Sequence, residues 1–564
     1  MQELGVNVRK GEHGSLVVYA NSVTKTEANH LRSGVEYMTI NSGYANRCDY
    51  ESTIQCTLPC MTNFTTHLWE KRGLAFAVVM GVFCLITIPM GVIRPLWYDE
   101  LAARWLAEAT SIGEFVDRIN TGVEPTPPLY LLVQYLSVHL FGAPDWTGRL
   151  PSMLGYAASL TFLYLFVARR LAAVGGAIAA AIMMLSGTLY YAQEGRPYGM
   201  VFGCAALAMW AWQEYIEQER PRYAALCGVA LFAAASLHYY SVLLSVPFGL
   251  AEVLRIWKSR RLDWKMVLVT AAPGIALLVH LPIIRMILSS QSNPEFAWAK
   301  PTLAFPAKFW LRALEPTVFV FVAVAVLILY LWRSRTVDPA EPKTSSFSLP
   351  DAELALLIGF VLIPIAGTIF AKVVTNAIAP RYIFSTMLGF SALLAHVLMR
   401  AVPAGRSWIF LILLAAVAGN GLLDIRWSMR DSLPGQLEIP VVTGEPALPV
   451  VVDDYLLYAQ LGRYASPELL SRLVYLTDLE RLKRYTSAGQ MEMITVIGVK
   501  KGQLRGQSGY LTPFLESNSR FLLFEPLRAE QNESWLSHDL LDRGVGLKLI
   551  AIQGGGRWYL VERK

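Results

Sequence analysis

Charge is scarce in this chain. Asp, Glu, Lys and Arg make up 16% of its 564 residues, against 54% hydrophobic residues, and mean hydropathy is +0.40. A water-facing globular surface takes about 25% charge, so a soluble fold is excluded for most of the length. Alternating strands of about ten residues are also missing, which excludes a membrane barrel. Cysteine is scarce, six in all. Cys48, Cys56 and Cys60 lie near the N-terminus, and Cys84, Cys204 and Cys227 lie in apolar stretches. None falls in the C-terminal part, so neither a disulfide framework nor a thiolate metal site is indicated there. That part also lacks a P-loop and a GxGxxG turn.

What is present is a series of apolar runs. Gly73–Met90, Phe319–Leu331 and Ala352–Ala371 carry almost no charge, as hydrocarbon demands of a spanning helix of about 20 residues. Spans are expected at 73–93, 149–168, 173–192, 197–214, 222–240, 241–257, 266–288, 317–333, 352–371, 382–400 and 407–424. Between 101 and 119 the chain reads instead as an amphipathic surface helix. Pro127–Phe141 is short for a span and reads as an incomplete or re-entrant helix. Basic residues (Arg169, Arg170, Arg220, Arg222, Lys258, Arg260, Arg261, Lys265, Arg333, Arg335, Lys343, Arg400, Arg406) share one side if these windows alternate. By the positive-inside rule this is the cytoplasmic side, leaving the C-terminal part outside. The net charge of +6 thus sets orientation and does not signal nucleic-acid binding.

The domains expected are a polar N-terminal segment (1–70), a membrane domain (71–430) and an extracytoplasmic α/β domain (431–564). The first is polar and aperiodic and does not read as a signal peptide. Met61–Arg72 gives the short basic lead expected before a first span, so Met61 is the expected biological start. In the last domain, Pro449–Val452, Arg472–Leu476, Met493–Val499, Arg520–Phe524, Leu547–Ile552 and Trp558–Val561 read as strands. The fold class is therefore an α-helical polytopic membrane protein, of about 11–13 transmembrane helices, with a small soluble α/β domain.

Polar residues that the apolar composition does not explain gather at the outer ends of the expected spans. They are Asp99 and Glu100, the run Tyr190–Tyr198 with Glu194 and Arg196, His238-Tyr239-Tyr240, Lys372, and Pro380-Arg381-Tyr382. An outer loop at 289–316 adds Glu295, Trp298, Lys300, Lys308, Trp310 and Arg312. Charges near membrane depth are costly unless paired or lining a wet cavity, which makes these groups functional candidates.

Taken in order, Trp97-Tyr98-Asp99-Glu100, Pro127-Pro128-Leu129-Tyr130, Arg149-Leu150-Pro151-Ser152, Tyr191-Ala192-Gln193-Glu194-Gly195-Arg196-Pro197-Tyr198 and Pro380-Arg381-Tyr382 resemble the GT-C glycosyltransferases. The likeness is to the protein O-mannosyltransferase and lipid A aminoarabinose transferase type (glycosyltransferase family 39-like), and it covers about 74–424. The repeated β-trefoil pattern of eukaryotic protein mannosyltransferases is absent from the tail, so a protein acceptor is not supported. The resemblance implies sugar transfer from a polyprenyl-phosphate donor to an acceptor (glycan, lipid or protein) on the extracytoplasmic face, with inversion. A prokaryotic inner membrane is the expected location.

On this reading Asp99 is the base that takes the acceptor hydroxyl proton, and Glu100 positions the acceptor or supports Asp99. Arg196 and Arg381, with Lys300 and Lys372 behind them, bind the donor phosphate. Glu194, Tyr198, His238, Tyr382 and Tyr130 bind substrate. No cofactor, essential metal or nucleic-acid partner is expected; membrane lipids are. The rival reading is a lipid or solute transporter of an envelope pathway, which would place charges at mid-membrane and show two related halves.

Overall fold

The computed structural model describes residues 6–10, 16–20, 73–121, 124, 126–290, 299–315, 349–401, 406–430, 439–440, 448–485, 490–527 and 534–563. The span expected at 317–333 and most of the N-terminal segment lie outside these. Within that segment β1 (Val6–Lys10) and β2 (Leu16–Ala20) form an antiparallel pair, where the sequence reads as aperiodic. Val6, Val8, Val17 and Val18 supply the β-branched residues that favour strands.

Five helical stretches among the described residues are long and apolar enough to cross a membrane: Leu74–Ile93, Asp145–Leu185, Tyr239–Ser259, Asp351–Thr375 and Ser407–Met429. Shorter apolar helices accompany them at Pro128–Phe141, Pro221–Leu237, Trp264–Val279 and Thr386–Ala401. We label the helices of the membrane domain α1 (Leu74–Ile93), α2 (Tyr98–Ala107), α3 (Ile112–Asn120), α4 (Pro128–Phe141), α5 (Asp145–Leu185), α6 (Tyr198–Gln218) and α7 (Pro221–Leu237). These are followed by α8 (Ser245–Ser259), α9 (Trp264–Val279), α10 (Leu281–Ser290), α11 (Phe305–Leu314), α12 (Asp351–Phe370), α13 (Thr386–Ala401) and α14 (Arg406–Arg430).

The spans expected at 149–168 and 173–192 are the two arms of α5, which folds back at Ala172, where φ is 61° and ψ 179°. The Tyr156 hydroxyl on the first arm shares a hydrogen bond with Thr188, just beyond the second, at 2.8 Å. The expected span 266–288 is interrupted at His280, between α9 and α10, where a histidine and Pro282 disturb the apolar run.

Glycines bring α5 and α6 together. A Cβ on Gly199 would lie 2.2 Å from the Ser152 carbonyl oxygen, and one on Gly203 would lie 2.5 Å from that of Gly155. Gly199 and Gly203 have the G-x-x-x-G spacing that lets membrane helices approach closely. This contact sets the start of α6 against the first turns of α5. At the far end of the bundle, Arg170 is paired with Glu217 and Glu353, Arg169 with Glu214 at 2.9 Å, and Lys258 with Asp351. Three of the basic residues that the sequence assigns to one side, Arg169, Arg170 and Lys258, therefore meet at one end; Arg333, Arg335 and Lys343 lie outside the described residues.

The C-terminal domain contains β3 (Val450–Val452), α15 (Tyr455–Tyr464), α16 (Pro467–Arg472), β4 (Leu473–Thr477), α17 (Leu479–Tyr485) and α18 (Gln490–Lys500). After these come β5 (Gln507–Tyr510), α19 (Leu511–Ser517), β6 (Arg520–Pro526), α20 (Trp535–Asp542), β7 (Gly546–Gln553) and β8 (Gly556–Glu562). The sheet order is β5-β4-β3-β6-β8-β7, with β5, β4, β3 and β6 mutually parallel and β8 and β7 antiparallel additions. Successive residues feed opposite cores. Val450, Val452, Leu522 and Phe524 face one, while Val451, Leu523, Phe521 and Val474 face the other, as a sheet covered by helices on both faces requires.

One expected strand is a helix. Met493–Val499 is rich in β-branched residues but lies within α18, because strand propensity is a weak preference that packing overrides. Thr495 and Val496 are buried there while Ile497 is exposed. The edge strand β5, Gln-Ser-Gly-Tyr, has too little apolar pattern to be read from sequence.

Candidate active site

The polar residues singled out above converge at one end of the bundle. The chain leaves α1 through Arg94-Pro95-Leu96 and enters α2 at Tyr98. Adjacent residues on a helix point about 100° apart, so Asp99 and Glu100 cannot share a direction.

Glu100 turns inward and is 1% exposed. Its carboxylate meets Arg149 on α5 in a two-pronged pair, Nε to Oε1 at 2.7 Å and Nη2 to Oε2 at 2.9 Å. It also accepts the backbone N–H of Trp97 at 2.8 Å and that of Gly195 at 2.6 Å. The Trp97 bond closes a cap on α2. Arg149 spends its remaining donors on the carbonyls of Gly91 (2.9 Å), Arg94 (2.7 Å) and Pro95 (3.1 Å). Burial alone would raise the Glu100 pKa. Arg149 outweighs that effect, with help from Arg94 and the Trp97 N–H, and holds the carboxyl down at about 2. Glu100 is thus an ionised structural anchor.

Asp99 turns toward the open side. Its Oδ2 lies 3.3 Å from Arg381 Nη2, and both side chains are 26% exposed. Arg381 sits in the 3-10 turn Pro380–Ile383 before α13, with its guanidinium 5.7 Å from the centre of the Tyr382 ring. Arg196 reaches the same segment, donating to the Asp99 carbonyl at 3.2 Å. Its charge is already met by Glu124, 3.0 Å away and buried, while its Nε has no hydrogen-bond partner among the described residues.

Glu194 is buried, and its Oε2 has no hydrogen-bond partner among the described residues. Burial, then the charges of Glu100 and Asp99, push its pKa up to about 7, against the pull of Arg94 and Arg196. This carboxyl holds a proton at a pH where Asp and Glu ordinarily do not.

Aromatic rings form one wall. Tyr198 lies edge-on to Tyr191 at 5.1 Å and 5.4 Å from His238, and His238 is 5.0 Å from Tyr382. Burial, then Arg196 and Arg381, lower the His238 pKa to about 3, so the ring is neutral and keeps one donor and one acceptor nitrogen. Tyr130 has no exposed surface; its neighbour Gln134 donates to the carbonyls of Gly148 (3.0 Å) and Gly195 (3.3 Å).

Lys300 and Lys372 are exposed, and neither makes an ion pair with a described residue. The Lys300 segment is tied to the loop leading to Arg381, since the Ile378 N–H donates to the Ala299 carbonyl at 2.8 Å. Among the described residues no group of His, Cys, Asp and Glu is placed to hold a metal ion.

Sequence reasoning missed Glu124 and Arg94. Glu124 is a lone acid in a proline-rich loop between apolar stretches, which was its available signal. Arg94, at the end of α1, donates to the Gln193 carbonyl at 3.0 Å and stacks on Tyr190 at 4.5 Å. Beside the site an apolar groove of about 470 Å³ runs between α4, α5 and α6, lined in part by Leu136, Leu140, Leu150, Pro151, Leu154 and Met200.

Residues 125–287 match the family model for dolichyl-phosphate-mannose-protein mannosyltransferase. Comparison with curated protein sequences finds no match. Among solved structures, ArnT from Cupriavidus metallidurans in the apo state aligns with a TM-score of 0.50 at 11% identity, covering 86% of this chain and 97% of ArnT. The same protein bound to undecaprenyl phosphate aligns with a TM-score of 0.49 at 12% identity, over 86% and 97% of the two chains. Archaeal oligosaccharyltransferase AglB from Archaeoglobus fulgidus, in complex with an inhibitory peptide and a dolichol-phosphate, gives 0.34 at 10% identity over 81% and 70%. The fold assignment rests on the first of these. The chain is an integral membrane protein with the GT-C glycosyltransferase fold, and the resemblance seen in its motifs is borne out by fold and family match.

Proposed function

We propose that the chain is a membrane glycosyltransferase that moves a sugar from a polyprenyl-phosphate donor to an acceptor hydroxyl, with Asp99 as general base. The observation that carries this reading is the Asp99–Arg381 pair: a part-exposed carboxylate and guanidinium 3.3 Å apart. The two parts suit the two ends of a glycosyl transfer. Asp99 takes the acceptor proton as the acceptor oxygen bonds to the anomeric carbon. The bond from that carbon to the phosphate oxygen breaks, and its electron pair leaves on the prenyl phosphate, where fixed cations stabilise the growing charge.

Arg381 is the leading phosphate ligand. Arg196, shared with Glu124, is second, and Lys300 and Lys372 widen the cationic approach. Protonated Glu194 can donate to a sugar hydroxyl. Tyr198, His238 and Tyr382 complete the surface for sugar or acceptor; Tyr130, expected to bind substrate, has no exposed surface and supports that wall from within. The apolar groove, whose lining includes Leu150 and Pro151, next in sequence to Arg149, offers the prenyl tail an apolar seat. A base on one side and a leaving phosphate on the other fit inversion. We place the reaction, the acceptor and the C-terminal domain on the extracytoplasmic side of a prokaryotic inner membrane, from the distribution of basic turns. These charges gather at one end of the bundle, which favours a transferase over a transporter with a mid-membrane site.

The test is sugar transfer by purified protein in lipid, with a panel of radiolabelled polyprenyl-phosphate sugars. Wild type should consume one donor, and Asp99→Asn should be slower by about two to four orders of magnitude while remaining folded. Equal turnover by both would remove Asp99 as the base.

A further inference from the structure

The segment that carries Asp99 is gripped by the C-terminal domain at both backbone groups of a single residue. Leu96 donates its N–H to the Tyr464 hydroxyl at 2.9 Å, and its carbonyl accepts from Gln460 Nε2 at 3.0 Å. Both partners come from α15, four residues apart and so on one helix face. Leu96 is 2% exposed and lies in the extended stretch before α2, where no helix or sheet satisfies its polar groups.

The surrounding contacts hold α15 in place. Arg463 pairs with Asp145 at 2.6 Å and with Glu108 at 3.2 Å, and the Tyr464 hydroxyl donates to Asp145. Tyr98 lies edge-on to Tyr455 at 5.5 Å, and its hydroxyl shares a hydrogen bond with Thr495 at 3.1 Å. Leu96, Tyr98 and Leu101 form an apolar cluster with Leu456, Ala459 and Leu504. From the opposite side, Arg149 holds the carbonyls of Gly91, Arg94 and Pro95. Arg149 governs the end of α1, and α15 governs the last residues before α2.

We propose that Gln460 and Tyr464 are positioning residues for glycosyl transfer: by holding Leu96 at both ends they fix the direction in which α2 presents Asp99 toward Arg381. The C-terminal domain is then part of the catalytic apparatus without touching substrate. The proposal rests on the transferase reading of Asp99. A misplacement of about 1 Å at a reacting group can cost about 100-fold in rate, which sets the scale of the effect.

Three variants test it. Gln460→Met keeps side-chain length and removes the donor to Leu96. Tyr464→Phe removes the hydroxyl. Lys501→Met removes the donor to the Thr121 carbonyl, 2.6 Å away, and so loosens the same interface without touching Leu96, α15 or Asp145. With the donor identified from the panel above, Gln460→Met and Tyr464→Phe should lower kcat about ten- to a hundredfold and leave donor KM within about twofold. Amide hydrogen exchange across residues 94–101 should speed up in both variants. Lys501→Met should change neither quantity by more than about twofold. Turnover of Gln460→Met within twofold of wild type, or an equal loss in Lys501→Met, overturns the proposal. If wild type uses no donor, the transferase reading falls separately. The exchange experiment still decides positioning, because unchanged exchange at 94–101 in both variants would overturn it.

Discussion

Neutralising Asp99 and neutralising Glu100 should have opposite consequences, although the two residues are neighbours. Asp99 and Arg381 are each 26% exposed, and a part-exposed pair of this kind contributes about 0–1 kcal/mol. Asp99→Asn should therefore leave the protein folded and remove its activity. Glu100 and Arg149 are 1% and 0% exposed. Removing one partner of such a pair strands the other charge in a medium that cannot solvate it, at about 3–5 kcal/mol. Against a total stability of roughly 5–15 kcal/mol, Glu100→Gln brings the fold close to its limit. At about 2 °C per kcal/mol for a large domain, the melting midpoint should fall by roughly 6–10 °C, while Asp99→Asn should move it by no more than about 2 °C.

Tryptophan fluorescence during heating in nanodiscs reads both. The pH dependence adds a second check. Because the folded pKa of Glu100 is depressed to about 2, its stabilisation is complete above the unfolded value of about 4.3. It is lost as pH falls from there toward 2, and Glu100→Gln should abolish that dependence. A Glu100→Gln protein with wild-type melting and acid sensitivity would refute the assignment of Glu100 to the fold.

The other predictions concern Glu194 and the helix contact. Glu194 has its folded pKa raised to about 7, so as pH rises from the unfolded value of about 4.3 its ionisation favours the unfolded chain. Above about 7 both states are ionised and the penalty stays constant. Glu194→Gln should thus gain stability relative to wild type between pH 4.5 and 7 and plateau above, as thermal melts across that range will show; a flat difference refutes the shift. Gly203→Val would force atoms into the Gly155 carbonyl, where even a Cβ lies 2.5 Å away. Overpacking of this kind costs about 1–3 kcal/mol, and separating α5 from α6 should also lower activity; unchanged melting would show that the helices part without loss.

How much of this was legible in the sequence depended on length scale. The first span, expected at 73–93, is Leu74–Ile93, because twenty apolar residues leave hydrocarbon little choice. The fold-back at Ala172 was visible as two spans with Arg169-Arg170 at the turn. The break at His280 was not, because one polar residue and a proline barely alter a hydropathy window. At the site, Arg381, Tyr198 and His238 were found as polar residues at span ends, and the structure brings them together. Burial separates what the sequence grouped. Asp99 and Glu100 look alike in a linear motif, yet the helical turn sends one toward Arg381 and the other into Arg149. The pairing of Arg196 with Glu124 is likewise a three-dimensional fact that spacing does not encode. In the C-terminal domain, Met493–Val499 had strand composition but occupies a helix, so local preference misled where packing decided.

Ala172 has a consequence for how the protein is made. With a single residue between the arms of α5, in a backbone region that costs a non-glycine residue about 1–3 kcal/mol, there is no slack for one arm to enter the bilayer and wait for the other. The two arms are therefore coupled as one hairpin, which carries the chain back along its own first arm to set Thr188 beside Tyr156. Ala172→Gly should ease the turn without altering topology, whereas lengthening it would uncouple the arms and expose the order of membrane insertion to error.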